Sequence, residues 1–293
     1  MGTRVEVQLW HDDDAAAAQL ISDAMAELDR IEDSMSTYRF DSEITHINNT
    51  AAEKPVIVGA ELFDLIARAL QLSVNTNGAF DITYDGVGQL YDYRSNARPS
   101  EAEIERRMST MNYRHVQLNQ ETSQIRYTQP GVRINLGGIA KGYAVESVIA
   151  LLRKAGVQHA MASAGGDTRL LGKRGEKPWI VGVRDPDRED GFVTRLALDD
   201  EAVSTSGDYE RFFIEDGVRY HHILNPATGK SAGDVRSVTV IGPDATMTDG
   251  LSTSVFVLGP TAGLALIESL DGYETVIVDK EHRVVFSTGL DPR

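Results

Sequence analysis

The second half of the chain consists largely of short runs in which hydrophobic and polar residues alternate. Alternation with a period of two predicts strands that bury one face, and segments rich in Asp, Asn, Gly and Pro separate the runs as turns. The predicted strands cover residues 179–183, 192–198, 218–224, 235–241, 275–278 and 283–286. We therefore expect mixed, largely antiparallel sheets.

Other parts of the chain carry apolar residues at helical spacing. The predicted helices cover residues 14–31, 62–70, 247–258 and 261–270. Ser100 and Glu103 form a capping-box pattern, and residues 134–152 predict a strand end, a Gly-Gly turn and a helix. Residues 1–10 alternate like a strand. Because there is no internal repeat, low-complexity tract or linker, the sequence predicts one α+β domain over residues 1–293.

The composition of the chain argues against several classes of binding partner and of chemical site. The chain has 29 Lys and Arg residues against 44 Asp and Glu residues, a formal charge of −15. Nonspecific binding to nucleic acid or anionic lipid is therefore not expected, and a polyanionic ligand needs a metal ion or locally aimed donors. The absence of cysteine excludes disulfides, thiolate metal sites and cysteine nucleophiles. No apolar run reaches the roughly 18 residues typical of a membrane-spanning helix.

The segment 133–145 joins a β-like run to a predicted helix through Gly137 and Gly138. The amides and the positive dipole at such a helix start suit a phosphate, and Lys141 adds a charge. The spacing fits neither a Walker A loop nor a Rossmann fingerprint. An ordinary tight turn explains the Gly-Gly pair as well, and from the pair alone it is the commoner interpretation.

Asp249 and Thr253 lie four residues apart in a predicted helix and therefore share one face. Together they offer a carboxylate and a hydroxyl to one hard cation, and oxygen-only ligands favour Mg²⁺ or Ca²⁺ over zinc. The alternative is helix capping by Thr248 or Asp249 with a packed Thr253. Spacing alone favours the cap.

Two adjacent histidines, His221 and His222, lie in a predicted strand just before a turn. Their side chains should face opposite ways, so at most one of them enters a given site. Histidine suits proton transfer from a hydroxyl or a hydrogen bond to phosphate, and a structural or exposed role is the alternative. Residues 35–44 and 78–83 offer a lining suited to a flat heteroaromatic ring, although capping and turn formation explain them equally well.

Taken together and in this order, these segments resemble the FAD:protein FMN transferase family, also called the ApbE family. The resemblance spans nearly the whole chain and is carried by residues 35–38, 41–43, 78–81, 136–144, 165–167, 204–211, 222–223, 226, 228–229, 249 and 252–253. It implies an ApbE-like α+β fold, FAD as donor, Mg²⁺ as cofactor, and transfer of FMN to a Ser or Thr hydroxyl of an acceptor protein. The implied acceptor is a subunit of a membrane redox complex, and the implied location is the periplasm after removal of a leader.

The resemblance also implies the site residues. Those that resemble flavin-nucleotide contacts are Met35, Tyr38, Ala79, Phe80, Asp81, Gly137, Gly138, Tyr143, His222 and Ile223. Those that resemble metal-binding positions are Ala140 through its carbonyl, Asp249, Ser252 and Thr253. His222 and Asp249 are the expected catalytic residues.

Two positions depart from the family pattern. Asn225 stands where the family commonly has aspartate, and Gly250 follows Asp249 where alanine is common. The first departure counts against any mechanism that needs a base at position 225. Two rival functions stay open: an FAD pyrophosphatase that uses water and yields FMN and AMP, and a flavin-binding protein without catalytic activity.

Overall fold

The computed structural model describes residues 3–188 and 190–290. Within them, the α-helices are α1 (Asp14–Met35), α2 (Glu43–Thr50), α3 (Ala60–Asn75), α4 (Asp85–Gly88), α5 (Glu101–Arg107), α6 (Ala140–Lys154) and α7 (Ala245–Glu268). The strands are β1 (Val5–Leu9), β2 (Val56–Ile57), β3 (Val116–Asn119), β4 (Gln124–Tyr127), β5 (Ala160–Ala164), β6 (Asp167–Leu171), β7 (Trp179–Arg184), β8 (Phe192–Leu198), β9 (Ala202–Gly207), β10 (Phe212–Glu215), β11 (Val218–His221), β12 (Leu224–Asn225), β13 (Lys230–Ser231), β14 (Val235–Gly242), β15 (Glu274–Asp279) and β16 (Val284–Phe286). The N-terminal strand prediction corresponds to β1, and its residues 1–2 lie outside the described residues.

The chain divides into two compact units, and each is assembled from separate stretches of sequence. Unit 1 comprises Met1–Glu32, Ile139–Gly207 and Asp234–Arg293. Unit 2 comprises Asp33–Gly138 and Asp208–Gly233. The single domain over residues 1–293 stays a prediction.

Unit 1 contains a seven-stranded sheet in the order β1-β5-β6-β9-β14-β15-β16, in which every neighbouring pair is antiparallel. The prediction of largely antiparallel sheets is therefore confirmed. Strand β14 lies between β9 and β15 and is buried along nearly its whole length. Helix α6 packs against β5 and β6, and α7 packs against β9 and β14. This packing sets the first turns of the two helices beside the sheet.

Helix α7 joins two segments that the sequence predicts as separate helices. The break lies at Gly259, whose φ of 80° and ψ of 174° are non-helical and which precedes Pro260. The pyrrolidine ring and the missing N–H account for the kink. Among the described residues, α7 alone is long and apolar enough to cross a membrane by length and composition. Its packing against α6, β9, β14 and β15 is that of a core helix.

Unit 2 contains the three-stranded sheet β2-β4-β3, the hairpins β10-β11 and β12-β13, and helices α2 to α5. A buried cluster fills part of its interior and consists of Val87, Tyr91, Ile104, Met111 and Leu224. The capping box at the start of α5 is confirmed, with both the Ser100 and the Glu103 hydrogen bonds formed.

Two strand predictions in unit 2 are wrong in detail. The run 218–224 forms β11 and β12 with a bend at His222 between them, because β11 pairs with β10 whereas β12 pairs with β13. The strand end predicted at the beginning of the segment 134–152 belongs to no sheet. The Asn48 side chain instead accepts from the Ile134 amide at 2.8 Å and donates to the Ile134 carbonyl at 2.9 Å. This amide satisfies both backbone groups as a neighbouring strand would.

Candidate active site

In unit 1, the carboxylate of Asp249 is buried beside the start of α6. Its Oδ2 accepts a hydrogen bond of 2.9 Å from the Gly142 amide, and its Oδ1 lies 3.2 Å from the Lys141 ammonium. The same ammonium lies 2.8 Å from Oδ2 of Asp167 at the start of β6. Asp167, Lys141 and Asp249 therefore form one ion-paired cluster, which we call the carboxylate–lysine triad.

Burial dominates the electrostatics of this triad. Desolvation, followed by repulsion from Asp167, raises the pKa of Asp249 to about 7, although Lys141 and the Gly142 amide oppose the shift. Burial alone would lower the pKa of Lys141, but the two carboxylates more than offset this effect and raise it. The site therefore strongly favours a charged lysine and disfavours a second buried negative charge.

The structure contradicts the simple capping interpretation of this segment. Helix α7 begins at Ala245, and its N-cap is Asp244, which accepts from the Met247 amide at 3.1 Å. Asp249 lies in the second turn, and the Thr248 hydroxyl instead donates to the Ala245 carbonyl at 3.1 Å. Asp249 thus interacts with the first turn of α6 rather than with its own helix end.

Two hydroxyl residues, Ser252 and Thr253, lie within one turn of Asp249 on α7. The Ser252 hydroxyl donates to the Asp249 carbonyl at 2.9 Å, and Ser206 on β9 lies 2.8 Å from it. The Thr253 hydroxyl is 3.4 Å from the same Ser206 hydroxyl. Strand β9 therefore brings Ser206 to both hydroxyls that the sequence proposes as metal ligands.

The oxygen donors around Asp249 in unit 1 fit a hard divalent cation. Asp249, Ser252, Thr253 and the carbonyl of Ala140 offer only oxygen, and the triad holds two carboxylates against one ammonium. Within residues 3–188 and 190–290, no group of three or more His, Asp or Glu side chains is arranged to hold a metal. A cation at Asp249 would therefore take its other protein ligands from hydroxyl and carbonyl oxygens.

In unit 2, the Gly137-Gly138 turn is ordered by its neighbours. The Gly137 amide donates to Oδ1 of Asn135 at 2.9 Å, and the Asn135 side chain also donates to Asp85 at 3.1 Å. A Cβ at Gly137 would lie 3.1 Å from the Asn135 Oδ1 and 3.3 Å from the Tyr84 hydroxyl, so this position favours glycine. The Gly137 amide, which the sequence suggests as a phosphate donor, is thus already engaged by Asn135.

The two histidines of unit 2 have different environments. His221 is buried, its Nε2 donates to the Ala232 carbonyl at 2.7 Å, and its Nδ1 accepts from the Ile223 amide at 3.3 Å. This pattern requires the neutral ring, and burial lowers the pKa of His221. His222 is half-buried, and its amide donates to the Arg211 carbonyl at 3.1 Å. His221 therefore has a structural role. A chemical role for His222 stays a prediction.

Proteins of known description resemble this chain in sequence. The ApbE family model matches residues 1–277. The chain belongs to the ApbE family. FAD:protein FMN transferase of Klebsiella pneumoniae is 30% identical over 292 residues, covering 98% of this chain and 90% of that protein. The protein of the same description from Vibrio cholerae is 32% identical over 249 residues, covering 83% and 74%.

Solved ApbE structures share the fold of this ApbE-family chain. The crystal structure of the ApbE protein of Thermotoga maritima is 34% identical, with a TM-score of 0.91, and covers 98% of this chain and 94% of that one. The flavin transferase ApbE from Vibrio cholerae is 28% identical, with a TM-score of 0.90, and covers 100% and 96%. The predicted ApbE-like fold is therefore confirmed.

The residues predicted to line the flavin have unequal freedom to do so. Asp81 accepts hydrogen bonds from the amide and hydroxyl of Thr83 at 2.8 and 2.6 Å, and from the Tyr113 amide at 2.8 Å. Both of its oxygens are thus engaged inside unit 2, and burial raises its pKa. Met35, Phe80 and Ile223 are buried, whereas Tyr38 is 87% exposed. Ala79 and, in unit 1, Tyr143 are half-buried.

Two residues of the candidate site, Asp167 and Ser206, lie in segments that carry the family resemblance, but the sequence assigns neither of them to the site. Asp167 follows a Gly-Gly pair that looks like a turn, and Ser206 lies in a run of hydroxyl residues. Lys141 was expected to add a charge for phosphate, but its ammonium pairs with two carboxylates. Only the packing of α6, α7, β6 and β9 against one another identifies these partners.

Proposed function

We propose that this chain transfers the FMN half of FAD to a Ser or Thr hydroxyl of an acceptor protein, releasing AMP, with Mg²⁺ at Asp249. The family membership and relatives described as FAD:protein FMN transferases support the transfer. The observation that carries the metal assignment is the carboxylate–lysine triad, a buried cluster with one excess carboxylate beside two hydroxyls of α7.

Asp249, Ser252, Thr253 and the Ala140 carbonyl would hold the ion. A Mg²⁺ ion held by these residues would supply charge neutralisation for the two phosphates and for the departing AMP. Gly142 orients the Asp249 carboxylate through its amide, at 2.9 Å. The hydrogen bond and the Lys141 ion pair keep that carboxylate in place before any ligand arrives, which lowers the cost of forming the site.

In the transfer step, the acceptor hydroxyl oxygen attacks the FMN-side phosphorus in line with the leaving oxygen. The new bond joins that oxygen to phosphorus, and the bond from phosphorus to the AMP oxygen breaks. His222 takes the hydroxyl proton or orients the phosphate. Because the acceptor oxygen becomes the ester oxygen, no covalent enzyme intermediate is needed. Asn225, an amide, supplies no base here.

The family resemblance supports a proposal for the acceptor and for the compartment. We propose a subunit of a membrane redox complex as the acceptor and the periplasm as the location. An acidic chain with a formal charge of −15 needs specific contacts for such an acceptor rather than general attraction to anionic lipid.

The deciding experiment incubates the protein with FAD and Mg²⁺, with and without an acceptor peptide, and follows flavin fluorescence on a denaturing gel. Covalent fluorescence on the peptide, with release of AMP, is the expected result. Free FMN without acceptor would identify an FAD pyrophosphatase instead. FAD retained intact in both mixtures would identify a flavin-binding protein. An acceptor peptide with Ser or Thr changed to Ala is the control.

A further inference from the structure

The carboxylate–lysine triad is unbalanced in charge. The side chains of Asp167 and Asp249 are only 2% and 3% exposed, and both pair with the same ammonium, that of Lys141. Where both carboxylates are ionised, they and the one ammonium carry a net charge of −1 in a poorly hydrated place. Uncompensated buried charge is costly, so the triad favours any cation that binds beside it.

Lys141 and Asp167 have opposite effects on the negative charge that Asp249 presents to a cation. Lys141 lies 2.8 Å from Asp167 and 3.2 Å from Asp249, so it lowers the negative potential at both carboxylates. Asp167, at the start of β6, pairs with the same ammonium and thereby leaves more of the Asp249 charge available to a cation. Removing Asp167 would leave a neutral pair, whereas removing Lys141 would leave two negative charges.

We propose that Asp167 and Lys141 are positioning residues that tune the affinity of the Asp249 site for a divalent cation, with opposite signs. Asp167 raises the affinity because it occupies the lysine ammonium. Lys141 lowers the affinity because it competes with the cation for Asp249, while it also keeps the two carboxylates together when no cation is bound. This inference rests on the proposed function, in which Asp249 holds Mg²⁺.

The test measures Mg²⁺ affinity of the flavin-free protein by isothermal titration at about pH 8, where ordinary carboxylates are ionised. Asp167→Asn should weaken binding by about tenfold, and Lys141→Met should strengthen it by about tenfold, since each changes the local charge by one unit. Asp167→Glu keeps the charge and should retain binding near that of the wild type. Thermal unfolding in a chelator should show the largest loss of stability for Lys141→Met, with the largest recovery on adding Mg²⁺.

A matched control is available on the surface of unit 1. Lys173 and Asp199 form an exposed pair at 3.6 Å, with side chains 51% and 47% exposed. Lys173→Met and Asp199→Asn make the same charge changes in solvent and should leave Mg²⁺ affinity unchanged. If Lys141→Met does not fold, the difference in Mg²⁺ affinity between Asp167→Asn and Asp167→Glu still tests whether the charge of Asp167 raises that affinity.

Failure of this inference is distinguishable from failure of the proposed function. If Asp249→Ala abolishes Mg²⁺ binding but the Asp167 and Lys141 variants bind like the wild type, the tuning role is wrong and the metal assignment stands. Shifts of the same sign in both variants would also overturn the tuning role. If Asp249→Ala binds Mg²⁺ normally, the metal assignment fails and the tuning role fails with it.

Discussion

The backbone amide of Gly142 donates a hydrogen bond of 2.9 Å to the carboxylate of Asp249. Helix α6 has no side-chain cap of its own, since its N-cap residue is Ile139. A residue of α7 therefore satisfies an amide in the first turn of α6 and lies at the positive end of that helix's dipole. The contact holds the carboxylate of Asp249, the proposed metal ligand, in one orientation. A substitution at Asp249 should therefore also destabilise the first turn of α6.

Gly142→Ala should destabilise the protein even though alanine is the better helix former. A Cβ there would lie 2.0 Å from the Ala245 carbonyl oxygen and 2.7 Å from the Asp249 Cβ, so α6 and α7 would have to separate. We expect a loss of about 3 kcal/mol in the free energy of unfolding, at the upper end for overpacking, against a gain of about 1 kcal/mol from propensity. Urea unfolding of the variant and the wild type measures this change in the free energy of unfolding. Gly233→Ala, which meets open space, should change little, and a stabilised Gly142→Ala protein would contradict the close approach.

Asp249→Ala should abolish Mg²⁺-dependent release of AMP from FAD. The change removes a carboxylate ligand, so the loss should exceed the roughly 10- to 100-fold typical of losing a supporting contact around a metal. Chromatographic measurement of AMP at several Mg²⁺ concentrations checks it, with the exposed Asp199→Ala as control. Turnover equal to that of the wild type would remove Asp249 from the metal site.

Thr253→Val should weaken Mg²⁺ binding with little effect on folding. Valine keeps the shape of threonine but lacks the hydroxyl, whose distance to Ser206 is a long 3.4 Å. The lost contact therefore stabilises the fold only slightly, whereas a lost ligand oxygen affects the ion. Titration calorimetry and thermal unfolding separate the two effects. Ser254→Ala is the comparison, because its hydroxyl donates to the Gly250 carbonyl at 2.7 Å and should affect stability alone.

His222→Ala should retain FAD binding while slowing FMN transfer by about 100-fold, the usual range for lost acid–base assistance. The neighbouring His221→Gln should behave differently, because His221 bonds to Ala232 and Ile223 inside unit 2. That variant should lose stability but transfer FMN at nearly the wild-type rate once folded. Single-turnover transfer to the acceptor peptide, with FAD binding measured separately, distinguishes them. A wild-type rate for His222→Ala would give His222 a structural role.

Stability should fall as the pH decreases below about 6.5, the ordinary pKa of histidine, partly through His221. Burial lowers the pKa of folded His221, with Arg219 adding to the shift and the Ala232 carbonyl and Asp208 opposing it. Below this pH the unfolded chain binds a proton on His221 more readily than the folded chain does. Protonation of His221 therefore favours unfolding. Urea titrations between about pH 7.5 and 5.5 should show a smaller decrease for His221→Gln than for the wild type. Parallel pH profiles for both proteins would contradict this.

The sequence determined those features whose causes lie within a few residues. Alternation predicts β7, β8, β14 and β15, and apolar spacing predicts α1 and α3, because both periods are properties of local backbone geometry. The Ser100 capping box is local for the same reason. The four-residue spacing of Asp249 and Thr253 likewise places both on one helix face before any tertiary contact is considered.

Only the tertiary structure decided which distant groups these residues meet. Asn48 completes the backbone hydrogen bonds of Ile134 from 86 positions away, and Lys141 pairs with Asp249 from 108 positions away. No local pattern encodes such partners, since they depend on which helix packs on which strand. Burial then changes the chemistry: the carboxylate of Asp249 is an ordinary one in the sequence, and it acquires a raised pKa and an excess charge beside it only when α6, β6 and α7 exclude water around it.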